Sequence, residues 1–294
     1  MVGWPRIVLA GAAVGLVGGL IGLGGAEFRL PLLIGIFGFA ALDAVILNKA
    51  TSLIVVATAL PFRAGTVPLD QVLAEWPVIL NLLAGSLLGA WIGAGLAVRM
   101  KSRTLYRVLA GLLVLIAAVL ALSHSMTFAP AALVTGPAQI VAGLVAGFGI
   151  GIVASLMGVA GGELLIPTLV LLFGIDLKLA GSLSLAISLP TMLVGFARYS
   201  RDDSFTVLAR NRSFVLFMAL GSVIGVAIGG QLLGIVPEIV LLPALVAILL
   251  VSSFKGHPQF VWCRGSIRAL SKFGPARPYI ARFKVFNRLI WPSA

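Results

Sequence analysis

The stretch GVAGGELLIPTLVLLFG, Gly158 to Gly174, decides the fold because it places a lone glutamate, Glu163, in an otherwise apolar segment. An upstream stretch, GLGGAEFRLPLLIGIFG from Gly22 to Gly38, repeats the pattern around Glu27. Each glutamate stands two residues after a glycine and four residues before a proline. An ionised carboxylate in such surroundings is unfavourable by several kcal/mol unless it is paired or protonated. The repeated pattern therefore indicates a functional or structural requirement.

The composition predicts an integral membrane protein. Of the 294 residues, 60% are hydrophobic and 10% are charged, whereas soluble domains carry about 25% charged residues. The mean hydropathy is +1.15. The single cysteine, Cys263, excludes a disulfide framework, and the two histidines, His124 and His257, lie far apart. We therefore expect no metal site and no cofactor.

The chain consists of two similar halves. One ungapped offset of the sequence against itself places Gly15 on Gly151 and aligns glycines, prolines, serines and the two glutamates over most of each half. The aligned pairs include Glu27 and Glu163, Pro31 and Pro167, Ser52 and Ser188, Gly85-Ser86 and Gly221-Ser222, and Gly93 and Gly229. We assign a first transmembrane repeat at 1–125, an external linker at 126–136, a second transmembrane repeat at 137–254 and a basic tail at 255–294. Because the first segment has a counterpart in mid-chain, we interpret it as a retained helix rather than a signal peptide.

Each half contains five apolar segments, which we predict to be helices, giving an all-α fold. They cover roughly 6–23, 28–39, 42–60, 76–98 and 104–122 in the first half, and 138–157, 164–175, 178–197, 213–234 and 237–254 in the second. The second segment of each set reaches only about 18 Å at 1.5 Å per residue, against a hydrocarbon core of about 30 Å. It is a half-helix, a re-entrant element or part of a broken helix.

The charges of the loops predict that the two repeats are inverted. Basic residues without acids at 99–107, and four arginines against two aspartates at 198–212, place both loops in the cytoplasm. The loop 123–137 has no Lys or Arg and should lie outside, as should 61–75 and the turn at Pro237-Glu238. Corresponding loops thus fall on opposite sides, and both termini are predicted to be cytoplasmic. Inverted repeats with interrupted helices are a recurring transporter plan.

The tail predicts a membrane-surface segment. It carries eight basic residues and no acid, interleaved with aromatic residues, and so accounts for +8 of the net charge of +12. Cations beside aromatics after a membrane helix favour anionic lipids at the cytoplasmic surface over nucleic acid. We expect a multi-pass protein of the bacterial inner membrane. The small-residue helix faces also permit a homodimer.

The glycine and proline residues of the two stretches predict unwound backbone between helical pieces. In lipid such backbone is tolerated only where it is buried in protein or lines a wet cavity. A helix beginning near Glu27 or Glu163 presents free N–H groups and a positive dipole end, which suits an anion. Two inverted copies would direct two such ends at one point. The candidate binding residues here are Gly24, Gly25, Gly161 and Gly162.

The paired Gly-rich turn followed by proline resembles the signature of the TauE/SafE family of membrane exporters. The downstream runs NKATSL (Asn48–Leu53) and GSLSLAISLP (Gly181–Pro190) share the resemblance, which covers nearly all of residues 5–254. It implies a transporter of small sulfur oxyanions, namely sulfite and organosulfonates such as sulfoacetate. The chain departs from the usual three-glycine run at Ala26 and Ala160.

The polar residues near the motif each have two interpretations. Glu27 and Glu163 either carry a coupled proton or cap a half-helix and pair with a cation such as Arg29 or Lys49. Lys49 either contacts an anion or extends toward an interface. Further polar residues either donate to an oxyanion or bond to their own helix; they are Asn48, Ser52, Ser184 and Ser188. We assign all of these, with Arg29, to the candidate substrate site.

We predict a secondary active exporter of small sulfur-containing anions that works by alternating access, with proton coupling as the candidate energy source. No Walker-type nucleotide motif is present in the sequence, which disfavours ATP drive within this chain. An intramembrane enzyme would need a nucleophile with a base, and the sequence offers only dispersed glutamates and serines. The remaining alternatives are an importer, a carrier of another small anion, and a non-transporting scaffold subunit.

Overall fold

Glycines set where the helices of this protein are interrupted. The computed structural model describes residues 3–21, 25–64, 69–125 and 135–232, and the structural statements below concern these residues. Apart from a short 3₁₀ turn at Asp203–Phe205, their regular structure is α-helical: α1 (Trp4–Ile21), α2 (Ala26–Gly35), α3 (Ala41–Ala64), α4 (Leu69–Ala74), α5 (Trp76–Arg99), α6 (Ser102–Ser125), α7 (Pro137–Met157), α8 (Gly162–Phe173), α9 (Leu177–Tyr199), α10 (Thr206–Arg210) and α11 (Arg212–Leu232).

The predicted apolar segments coincide with long or short helices of the structure. The offset that places Gly15 on Gly151 also places the first residues of α2, α3 and α5 on those of α8, α9 and α11, and it makes α1 the counterpart of α7. The all-α prediction is confirmed within the described ranges. Several predicted features lie outside those ranges: the last segment at 237–254, Gly24, His257, Cys263, the basic tail and most of the linker 126–136.

The short second segment of each half is a separate short helix. α7 stops at Met157 because Gly158 is left-handed (φ 69°), and Gly161, also left-handed (φ 83°), precedes α8. In the first half Gly25 (φ 72°) precedes α2 in the same way. A side chain at these positions would be strained, so glycine is required there. α2 has 10 residues and α8 has 12, too few to cross a hydrocarbon core of about 30 Å.

The prediction that the prolines help to unwind the backbone is wrong. Pro31 and Pro167 lie inside α2 and α8, at the sixth residue of each helix. Proline has no N–H, so one backbone carbonyl, four residues earlier, loses its helical hydrogen bond. That carbonyl belongs to Glu27 in α2 and to Glu163 in α8. The prolines therefore free one carbonyl at the start of each short helix, and the glycines alone make the interruption.

The described helices are those of a multi-pass membrane protein. Five of them contain apolar stretches long enough to cross a membrane: Ala41–Thr58, Trp76–Arg99, Pro137–Met157, Leu179–Tyr199 and Arg212–Gly229. Large apolar side chains are exposed along α5, α7 and α11, among them Leu88, Val145 and Leu216. Such extensive exposed apolar surface is unfavourable in water but is compatible with contact to lipid tails.

The helices of the two halves are paired crosswise. α1 packs along α11, and its counterpart α7 packs along α5. A Cβ at Gly15 would collide with the Ser222 carbonyl oxygen, and a Cβ at the equivalent Gly151 would collide with that of Ser86. These small residues let the two backbones touch, which is the packing role expected of the repeated Gly-Ser pairs.

The two loops predicted to be cytoplasmic lie at one end of the helices. At the start of α3, the Ala41 backbone bonds the Tyr106 side chain of α6, and Asp43 interacts electrostatically with Arg210. The guanidinium groups of Arg198 and Arg201 lie 5.6 and 4.8 Å from the ring centroid of Trp91 on α5. Nearby, the hydroxyl and amide of Ser204 hold the pKa of Asp202 below its ordinary value.

Candidate functional site

Asn48 brings the two helix interruptions together. Its Nδ2 donates to the carbonyl oxygen of Ala26, the first residue of α2, at 3.0 Å. The same amide donates to the carbonyl oxygen of Met157, the last residue of α7, at 3.2 Å. One side chain on α3 thus connects the break of the first half to that of the second, and both motifs lie in one region.

Arg29 is the buried cation of this region. Its Nη1 donates to Ser52 Oγ at 3.0 Å and to Asn48 Oδ1 at 3.3 Å, and its Nη2 donates to Ser222 Oγ at 3.1 Å. Its side chain is completely buried, and its Nε has no hydrogen-bond partner among the described residues. Neutral oxygens therefore hold the guanidinium in place, and none of these three bonds offsets its positive charge.

Lys49 is directed to the end of α7. Its Nζ donates to the Ala154 carbonyl oxygen at 3.4 Å and to Ser155 Oγ at 3.3 Å. Tyr199 closes this cluster by donating its hydroxyl to the Ser155 carbonyl oxygen at 2.8 Å. Lys49 is fully buried, so it does not extend to a membrane interface. Gly195 faces the ammonium group, and a Cβ there would lie 3.0 Å from Nζ.

The two glutamates meet at the starts of the short helices. Each is the second residue of its helix and is 2% exposed. Their carboxyl groups lie within hydrogen-bonding reach of each other, and Arg29 is the cation that acts on Glu27. Glu27 Oε1 and both carboxyl oxygens of Glu163 receive no hydrogen bond from the other described residues. Pairing with Lys49, one of the predicted alternatives, is therefore wrong in this structure.

The site is asymmetric although the helices around it repeat. Leu165 and Leu185 stand where the first half has Arg29 and Lys49. As a result Ser188, the counterpart of Ser52, is buried with its Oγ unpartnered among the described residues. Ser184, the counterpart of Asn48, bonds back to the Gly181 carbonyl oxygen of its own helix at 2.9 Å. The first half thus supplies the cations of the site.

This asymmetry predicts unequal effects of the same substitution at the two aligned serines. Ser52→Ala removes an acceptor from a buried guanidinium and is expected to destabilise the protein by about 1.5–3 kcal/mol. Ser188→Ala removes a hydroxyl that bonds to nothing described, and is expected to leave stability nearly unchanged. Thermal unfolding of both variants in detergent measures the difference, and equal losses would contradict the assigned roles.

Several polar residues of the site were not predicted from the sequence. Ser222 holds Arg29, while its repeat counterpart Ser86 bonds to Thr191 at 2.7 Å between the two hydroxyl oxygens. Ser155 accepts a hydrogen bond from Lys49, and Tyr199 donates to the Ser155 carbonyl oxygen. The repeat of the Gly-Ser pair is the available signal for Ser222, but small residues at this spacing indicate helix packing first. No sequence pattern marks Tyr199.

The arrangement suits an anion better than a metal ion. Two helix N-termini, each a source of free N–H groups and partial positive charge, begin beside a buried guanidinium. The described residues contain no group of three or more His, Cys, Asp or Glu side chains able to hold a metal. Gly25 and Gly161 form the turns that position these N–H groups, and Gly162 is the first residue of α8.

Comparison with known proteins gives one match. The family model described as "Sulfite exporter TauE/SafE" matches residues 7–256. Neither the curated proteins nor the solved structures that were compared match significantly. The matched range includes every residue of the site.

Proposed function

This chain belongs to the sulfite exporter TauE/SafE family, and on that premise we propose that it carries small sulfur-containing anions out of the cell. The substrates are sulfite or organosulfonates such as sulfoacetate. The observation that carries the proposal is the meeting of two interrupted helices, through Asn48, beside the buried and incompletely bonded Arg29. The family membership supplies the substrate class and favours a carrier over an enzyme.

The binding site lies between the first turns of α2 and α8. There the N–H groups after Gly25 and Gly161, with Arg29, receive the oxygens of the anion, and Ser188 provides a hydroxyl that has no described partner. Arg29 is held by three neutral oxygens, so these bonds leave its charge uncompensated. A sulfonate or sulfite presents three oxygens, which matches a site with donors on several sides.

The transport cycle is alternating access between two inverted repeats. The crosswise pairing of α1 with α11 and of α7 with α5 is what a two-fold axis between the halves produces. Equivalent glycines make equivalent contacts in both helix pairs: Gly85 approaches Leu144, and its counterpart Gly221 approaches Val8, the counterpart of Leu144. Rocking one repeat against the other opens the site to alternate sides. The protein resides in the bacterial inner membrane with both termini in the cytoplasm.

Transport is secondary active and coupled to protons through Glu27 and Glu163. A buried carboxyl group carries a proton more readily than a charge, and it releases the proton when the site becomes hydrated. These two are the buried carboxyl groups that adjoin the helix starts. Protonation also removes negative charge from the place that receives the substrate.

Flux in proteoliposomes tests this proposal. Wild-type protein reconstituted with sulfite or sulfoacetate is expected to move the anion faster when a pH gradient is imposed. Glu27→Gln and Glu163→Gln are each expected to reduce the gradient-driven component at least tenfold, because a neutral amide binds no proton at physiological pH. Isotope or fluorescence-based counting of the transported anion gives the measurement.

Gly149→Ala is the matched control because Gly149 is exposed on α7 and a Cβ there meets nothing within 4 Å. It should transport like the wild type. No flux of any sulfur oxyanion by well-folded wild-type protein would exclude the substrate class while leaving the fold intact. Undiminished pH-driven flux in both glutamine variants would exclude their role in coupling.

A further inference from the structure

The contact between the carboxyl groups of Glu27 and Glu163 requires a proton. Two ionised carboxylates offer only acceptors, so neither can bond to the other. Their carboxyl groups nevertheless lie within hydrogen-bonding reach, on helices from different halves of the chain. They are buried, and three of their four oxygens receive no hydrogen bond from the other described residues. A proton between them turns this contact into a strong charge-assisted hydrogen bond.

The charged groups around the pair favour one shared proton. On α2, Arg29 provides one positive charge beside Glu27. On α3, Lys49 is turned to Ser155 and Asp43 lies near Arg210, and on α9 Tyr199 bonds to the Ser155 backbone. α7 has no titratable side chain and α1 has only Arg6; α6 has Arg103, Tyr106 and Arg107 in its exposed or half-exposed first turns and His124 in its last turn. One proton on the pair therefore leaves one negative charge, which Arg29 balances.

The carboxyl pair lies at the two helix ends where the substrate anion is proposed to bind. Both carboxyl groups occupy the first turns of α2 and α8, where free N–H groups and the positive helix ends favour an anion. The chain's own carboxylate thus takes the place that a substrate anion would occupy. An arriving anion meets that negative charge until it is neutralised.

We infer that Glu27 and Glu163 form a single proton-binding unit that shares one proton across the two halves and acts as an internal anion in the substrate site. A second proton neutralises the pair, which then no longer competes for the helix ends and Arg29, and the substrate anion binds. Each anion admitted is accompanied by one proton. This inference rests on the proposed transport function and specifies how that site is coupled.

Infrared spectroscopy tests the shared proton without any substrate. Purified full-length protein at neutral pH is expected to show the C=O absorption of a protonated carboxyl group that is missing from the Glu27→Gln/Glu163→Gln variant. Asp43→Asn, which removes a carboxyl group outside the pair, should retain that absorption. If the wild-type spectrum contains no such absorption, the pair is fully ionised and the inference is wrong, whatever the protein transports.

Calorimetry then counts the protons taken up with the anion. Methanesulfonate is the probe, because it is the anion of a strong acid and keeps its charge across the whole titration range. Titrations in buffers of different ionisation enthalpy are expected to show uptake of about one proton per anion. The affinity should fall about tenfold per pH unit once the pair is anionic.

The outcomes separate this inference from the proposed function. Uptake near zero or near two protons in the wild type would overturn the single shared proton. The double glutamine variant is expected to bind methanesulfonate with no uptake and no pH dependence. Failure of the wild type to bind or transport any sulfur oxyanion would reject the proposed substrate class, and the infrared result alone would then decide whether the pair shares a proton.

Discussion

Gly151→Ala is expected to destabilise the protein strongly and to lower its yield in the membrane. A Cβ at Gly151 would collide with the Ser86 carbonyl oxygen and lie 2.9 Å from the Ala90 nitrogen, so the obstacle is backbone on both counts. Backbone in the middle of α5 cannot move aside as a flexible side chain does. α5 and α7 must separate, at a cost of about 3 kcal/mol, near the upper end for overpacked sites. Thermal unfolding in detergent and the yield of monodisperse protein measure the loss.

Gly149→Ala provides the control on the same helix, two residues away. A Cβ there meets nothing within 4 Å, and alanine favours a helix over glycine by up to about 1 kcal/mol. This variant should be as stable as the wild type or slightly more stable. The repeat adds a second test, because Gly15→Ala would collide with Ser222 as Gly151→Ala does with Ser86. Comparable stability of Gly149→Ala and Gly151→Ala would refute the close approach of these helices.

The helices and the place of the interruptions were predictable because their signals are local. Apolar length marks a membrane helix, and repeated glycines mark an interrupted one. The ungapped offset between the halves adds a second instance of the same pattern, since Glu27 and Glu163 stand in equivalent surroundings. The misplacement of the prolines has a physical cause. Proline at the sixth residue of a helix sacrifices only one hydrogen bond, which a short helix tolerates when that carbonyl lies at its start.

The contacts within the site could not be predicted from the sequence because they join residues that are far apart along the chain. Arg29 and Ser222 are 193 positions apart, and Lys49 and Ser155 are 106 apart. Periodicity places each residue on a helix but does not tell which face of another helix it meets. The sequence therefore indicated Arg29, Lys49 and both glutamates together. It did not separate the cation that adjoins the carboxyl pair from the one held at the end of α7.

Arg29→Leu is expected to abolish transport and to destabilise the protein by about 3–5 kcal/mol, the usual loss when one member of a buried charge pair is removed. Leucine is the natural replacement because Leu165 stands at the equivalent position of the second half. The substitution leaves the negative charge of the glutamate pair uncompensated in a buried site. It also deprives Asn48, Ser52 and Ser222 of their shared donor.

A double-mutant cycle isolates the charge from the lost hydrogen bonds. Adding Glu27→Gln and Glu163→Gln together to Arg29→Leu removes the uncompensated charge, so part of the stability is expected to return while transport stays absent. Arg201→Leu is the control for loss of an arginine, since Arg201 is exposed against Trp91 and such a contact contributes about 0.5–1 kcal/mol. Thermal unfolding of the four members of the cycle and of the control gives the coupling free energy. Additive losses would mean that Arg29 does not balance the charge of the glutamate pair, and its role would then be limited to holding α3 and α11 against α2.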